Sequence, residues 1–341
     1  MKRIGMNTVL FESTPGILST AASVGKTEGE GPLAAYFDII NQNDGISKGT
    51  WEHAETELVK QATTLAMKKA NVSASDIQIA FTGDLLNQCT ASTFGFRDTK
   101  IPVAGLFGAC STFALAIFLA SAAVDSGMAS MAMAESSSHF CAAEKQFRFP
   151  LEYGGQRTPT AQRTVTGSGA VIIGGPKKNV VIKAGTVGKI TDYGTTDMTN
   201  MGAAMAPAAA ETIVSFLRDT NTLPEDYDMI LTGDLGLIGS KILTDFLKKE
   251  YGIDIEKVHS DCGVMIYDSE KQDTHAGGSG CGCSAAVVCS KIIQMLENKK
   301  LKRVLFAGTG ALMSPLTVAQ GDTIPCIAHA VYLTGDTEGG N

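Results

Sequence analysis

AGLFGACSTFALAIFLASAAVDSG, residues 104–127, is the stretch that decides the fold. A glycine-bearing turn delivers one cysteine, Cys110, to the start of a run that is apolar nearly all round: Phe113, Leu115, Ile117, Phe118, Leu119 and Val124. A helix of that kind lies inside a large domain or a membrane. The unpaired N–H groups and positive dipole end of its first turn would face the sulfur, an arrangement that lowers a thiol pKa or holds an anion. The plainer reading of a lone cysteine is inert packing. A membrane span is the other competitor, because the uncharged run from Ile101 to Val124 is long enough. Pro102, Gly105 and Gly108 speak against it, and so does a second copy of the pattern that carries charge.

That second copy is the most informative feature of the chain. VSASDIQIAFTGDL, from Val72 to Leu85, has a partner in LPEDYDMILTGDL, from Leu223 to Leu235. In each, an Asp-containing turn leads into a short apolar strand ending in Thr-Gly-Asp-Leu, and each follows a helix-period run, Glu52 to Ala70 and Ala208 to Asp219. Cys110-Ser111, its helix and the strand Ser130 to Ala134 align without gaps on Cys283-Ser284, a helix to Asn298 and the strand Arg303 to Ala307. The second helix contains Lys291 and Glu297, which a bilayer tolerates poorly. Opening strands are expected at Lys2 to Phe11 and Val180 to Val187, and Ala170 to Gly174 closes the first half. Alternating strands and helices of this sort give parallel-rich sheets with right-handed crossovers. The expected fold is α/β, five-layered α/β/α/β/α, with a half at residues 1–176 and another at 177–341 forming one compact body.

With 341 residues the chain buries a sizeable core. A net charge of −7 and the lack of any Lys/Arg stripe interleaved with aromatics exclude nucleic-acid binding. Eight cysteines in a chain this long suit a reducing compartment rather than a disulfide framework. Cys281, Cys283 and Cys289 match no zinc spacing, so no metal is expected. MKRIGMNTVLFES lacks the apolar segment of a signal peptide.

Duplicated halves with a Gly-Cys turn capping a buried helix resemble the thiolase and ketoacyl synthase superfamily. The resemblance implies that a cysteine in the position of Cys110 is the acyl-accepting nucleophile, activated by bases from the second half. EGPLAAYFDII at Glu30, TWEHAE at Thr50, SSSHFCAAEKQFRFPLEYGGQRTPTAQ from Ser136 and MAPAAAETI at Met205 carry a narrower resemblance, to the AD family of stage V sporulation proteins of spore-forming bacteria. It covers essentially the whole chain, and residues 136–162 are its most specific part. It implies a protein that binds dipicolinic acid or its calcium chelate and helps move it into the developing spore. The implied partners are membrane-embedded proteins of the same transport system. The implied location is peripheral to the cytoplasmic face of the forespore inner membrane, and a homodimer is implied by the wider superfamily.

The residues themselves argue against catalysis. A thiolase-type site needs an imidazole or carboxamide after the second Thr-Gly-Asp-Leu strand, where Asp234 stands. A carboxylate there raises the thiol pKa and repels a developing oxyanion. His275, in THAGGSGCGCS, is the one candidate for the other partner, so an active acyltransferase using Cys110 and His275 is the alternative function. Phe306-Ala307-Gly308-Thr309-Gly310 holds no second cysteine. A carrier site is therefore expected, with N–H donors at Cys110 and Ser111, and hydroxyls from Ser136, Ser137 and Ser138 with His139 on the same cavity wall. Arg163 stands where the family favours Trp, and a guanidinium there is suited to pairing with a ligand carboxylate. Residues 144–162 read as a loop that covers a site or meets partners, and Met198 to Met205 as an excursion over the second sheet.

Overall fold

A computed structural model describes residues 1–46, 49–148, 157–175 and 179–335. The boundary placed between residues 176 and 177, and residues 149–156 of the expected covering loop, lie outside the described residues. Ten strands carry the architecture: β1 (Gly16–Val24), β2 (Ile79–Gly83), β3 (Val103–Gly105), β4 (Met131–Ser138), β5 (Gly167–Gly174), β6 (Val181–Thr186), β7 (Met229–Thr232), β8 (His259–Asp261), β9 (Arg303–Ala311) and β10 (Cys326–Thr334). The first five run in the order β3-β2-β4-β5-β1 and the second five in the mirrored order β6-β10-β9-β7-β8. Within each set the three strands farthest from the join are parallel, and β5 and β10 are antiparallel to both of their neighbours. Among the described residues one pair, Val181 with Gly16, joins the two sets.

The helices complete the layers. α1 (Trp51–Ala70) covers β1 and β5 from outside, and α2 (Thr112–Asp125) lies between the sheets, touching β2 and β4 on one side and β9 and β10 on the other. α3 (Phe140–Phe147) follows β4, and α4 (Met201–Thr220) covers the outer face of β9 and β10. α5 (Cys281–Val287) meets α2 between the sheets and continues through a π-turn at Val288–Ile292 to Glu297. The fold is the expected mixed α/β, thiolase-like arrangement. α2 is apolar on all sides because it faces sheet on two sides: Phe113, Ala116, Ile117 and Ala120 are all at most 1% exposed. Fully burying each large apolar side chain there contributes about 1.5–3 kcal/mol.

The expected opening strand from Lys2 to Phe11 is corrected. Gly5, at φ +60°, breaks the run into a hairpin of Lys2–Ile4 and Thr8–Leu10, and the second of these pairs with β6. The structural counterpart of β6 is β1, whose small-residue sequence GILSTAASV lacks the alternation that marks a half-exposed strand because helices cover both its faces. The helix expected from Ala208 begins at Met201, so the methionine run becomes its first turns, with Pro207 inside. The two aligned cysteines are not equivalent either. Cys110 precedes the N-cap of α2, whereas α5 starts at Cys281 and takes Cys283 into its first turn. Gly282 permits this, since a Cβ there would sit 2.3 Å from Gly167 O.

Candidate functional site

Cys110 stands on a tight elbow between β3 and α2. Ala109 holds φ +48°, a strained value for a residue with a Cβ. Ser111 N donates to Gly108 O at 3.1 Å and its Oγ to the same oxygen at 2.6 Å, while Thr112 Oγ1 donates to Ala109 O at 2.7 Å, so the Ser111 amide expected to face a ligand and both hydroxyls lock the elbow instead. The elbow rests on β9. A Cβ on Gly310 would lie 2.3 Å from Gly108 O, a contact that only glycine allows here.

The thiol is buried, 6% exposed, beneath a cavity of about 380 Å³. Leu86, Phe107, Phe147, Met201 and Leu312 make its wall largely apolar, and Arg148 is the single charged side chain among the described lining residues. That size and balance fit a small-molecule site. Ser279 Oγ lies 4.0 Å from Cys110 Sγ and donates to Asp234 Oδ2 at 3.0 Å, while Arg148 Nη2 donates to the same hydroxyl at 2.7 Å. Asp234 is fully buried and also accepts from Gly280 N at 2.8 Å and Thr309 Oγ1 at 2.8 Å. Gln162 ties the floor together, donating from Nε2 to Asp234 O at 2.8 Å and Gly278 O at 2.7 Å.

The electrostatics hold the sulfur as a thiol. Burial first, then the adjacent Asp234 carboxylate, push Cys110 well above the ordinary thiol range, against smaller opposing effects of Arg148 and Ser279. The sequence expectation that a helix N-terminus lowers this pKa is overturned, because Cys110 lies upstream of the N-cap and desolvation dominates. Burial also raises Asp234, and its hydrogen bonds from Gly280, Thr309 and Ser279, with the neighbouring Cys110, pull the other way. No imidazole among the described residues hydrogen-bonds the sulfur. His275, in a left-handed conformation at φ +49°, pairs with Asp273 at 3.0 Å and bridges to Gln162 through its backbone. It does not line the cavity. His329 packs behind the elbow, where Nδ1 accepts from Gly188 N at 3.2 Å and burial lowers its pKa to about 4.

The Ser136–His139 run lies away from this cavity. Ser136, Ser137 and Ser138 end β4, fully or almost fully buried; Ser137 Oγ donates to Glu55 Oε1 at 2.9 Å and Ser138 Oγ to Val165 O at 2.7 Å. His139 caps α3, accepting from Ala142 N at 3.4 Å, and stacks on Trp51 with centroids 5.7 Å apart. Arg163 lies over the Phe140 ring at 3.8 Å and reaches Thr27 Oγ1 at 3.5 Å, also outside the cavity wall. Of the residues singled out from sequence, the structure therefore brings only Cys110 and Asp234 together. Arg148, Ser279, Gln162 and Thr309 were missed, although residues 136–162 contain two of them. Among the described residues no group of His, Cys, Asp or Glu is arranged to hold a metal ion, and no helix is long and apolar enough to cross a membrane.

Comparison with known proteins follows the same lines. The family model described as Stage V sporulation protein AD matches residues 5–334. A Stage V sporulation protein AD of Bacillus subtilis (strain 168) is 46% identical over 331 residues, 97% of each chain. Among solved structures, cerulenin-bound OleA from Xanthomonas campestris superposes with a TM-score of 0.62 at 14% identity, over 96% of this chain and 98% of that one. The 3-oxoacyl-[acyl-carrier-protein] synthase III of Aquifex aeolicus VF5 gives 0.57 at 13% identity, over 94% and 99%. At these identities the structural likeness shows the fold alone.

Proposed function

Because the chain belongs to the stage V sporulation protein AD family, we propose that this sporulation protein uses its thiolase-like fold to carry a ligand and not to transfer acyl groups. The ligand is dipicolinic acid, free or as its calcium chelate, seated in the cavity above Cys110. In this reading the protein works as a homodimer and meets the forespore inner membrane through membrane-embedded partners, to which it passes the ligand for uptake into the spore.

The observation that carries the reading is Asp234. A buried carboxylate one hydroxyl away from the thiol opposes thiolate formation and would repel the oxyanion of any acyl intermediate. What is left is an apolar cavity with a cation at its wall, a chemistry suited to a small aromatic acid. Isothermal titration with dipicolinate, with and without calcium, tests it. Saturable heat at micromolar ligand supports the carrier, whereas silence with folded protein, together with a stable acyl adduct on Cys110 after acyl-CoA treatment, replaces it with an acyltransferase.

A further inference from the structure

We infer that Arg148 is the residue that selects for a carboxylate in the Cys110 cavity, an inference that rests on the carrier reading and deepens it. Arg148 immediately follows α3 and crosses to the other side of the floor. Nη1 donates to Gln162 O at 2.5 Å and Nη2 to Ser279 Oγ at 2.7 Å. It forms a partition, lining both the Cys110 cavity and a small neighbouring pocket beside Ala161 and Thr199.

Three observations converge on it. Both of its hydrogen-bond acceptors are neutral, and among the described residues no carboxylate lies within ion-pairing distance. Its Nε is buried with no hydrogen-bond partner among the described residues, and such a donor costs about 1–3 kcal/mol until an acceptor reaches it. The cavity floor offers no competing anion at its surface, because Cys110 is kept as a thiol and Asp234 lies beneath it, saturated by Gly280, Ser279 and Thr309. A guanidinium with two edges engaged and a third free takes a carboxylate in a two-point, charge-assisted contact. The aromatic ring of such a ligand then lies along Phe107, Phe147 and Leu86.

The test is titration of the full chain and of R148Q and R148K with three probes: dipicolinate, benzoate and the neutral diamide of the pyridine ring. R148Q keeps a polar hydrogen-bonding side chain but loses the charge, and thermal melting checks its fold. The expected result is that R148Q binds dipicolinate at least 30-fold more weakly and R148K falls between, while the weak affinity for the neutral diamide is the same in all three. If the wild-type chain binds dipicolinate and R148Q binds it within twofold, the Arg148 assignment fails and the carrier reading stands. If dipicolinate is silent but benzoate binds and is lost in R148Q, the carboxylate anchor stands and the identity of the cargo fails. No binding of any carboxylate overturns both. Should R148Q melt early, R148K decides, with equal dipicolinate affinity overturning the assignment and a several-fold loss supporting it.

Discussion

Replacing Asp234 by asparagine is expected to wake Cys110 chemically. Ser279 Oγ stands 4.0 Å from Sγ and 3.0 Å from Asp234 Oδ2, so sulfur and carboxylate are at most about 7 Å apart. At that distance and an effective dielectric of about 20, a carboxylate opposes a thiolate by about 2.4 kcal/mol. That is a thiolate fraction about 50-fold larger in the variant at any pH below its pKa. Nucleophilicity falls as the pKa falls, which leaves a net gain in alkylation rate of about tenfold. Burial persists in D234N, so the thiol stays slower than an exposed one. The assay is a time course of iodoacetamide labelling of Cys110 by peptide mass spectrometry from pH 7 to 9, with thermal melting as a fold control. A folded D234N that labels Cys110 less than twofold faster than wild type refutes the electrostatic argument. So does a wild-type thiol that titrates below pH 8.

Other consequences follow from residues outside the cavity. Glu135, fully buried and held by Thr82 and Ser168, is raised to about 8, first by burial. The folded state therefore binds this proton more tightly than the unfolded chain; the stability it contributes is complete below about pH 4.5 and is lost as pH rises through about 8, with a ceiling of about 5 kcal/mol. E135Q should flatten that loss in urea midpoints measured at pH 6 and 8.5, and a parallel loss in both proteins rejects the assignment. Gly310→Ala pushes a methyl against Gly108 O and is expected to cost about 1–3 kcal/mol in urea unfolding; an unchanged midpoint would show that the elbow is not packed on β9. His275→Ala should leave dipicolinate affinity within twofold, because the ring pairs with Asp273 away from the cavity, and a loss of tenfold or more would return it to the site.

Much of the architecture was legible because it is written in local patterns. The two Thr-Gly-Asp-Leu strands, the first buried helix and the helix-period run before the first strand lie where periodicity put them, while the second run starts seven residues earlier than expected and the second buried helix two residues earlier. β1 was not legible, since a strand covered on both faces and built from Ala, Ser and Thr carries neither alternation nor bulk. The candidate site was legible only in part. Cys110 was marked by the glycines and the apolar helix around it, and Asp234 by its place in the repeat. The hydroxyls of Ser136, Ser137 and Ser138, expected on the wall of the Cys110 cavity, do not line it. Their strand does run parallel to β2, but Ser137 and Ser138 spend their hydroxyls on Glu55 and on Val165 O.

The amino-acid order alone determined that the chain is duplicated, that each copy buries a helix, and that one cysteine sits at the mouth of the first. These properties depend on neighbours a few residues apart, so they survive in a one-dimensional reading. Folding decided which copy of the repeated Asp faces the thiol. Asp84 turns to cap Leu86 and Ser92 within its own copy, while Asp234 crosses to Ser279 and Cys110. Identical tetrapeptides thus do different work, because charge and burial at a site are set by whatever the packed sheets bring within a few ångströms, and that is a property of three dimensions.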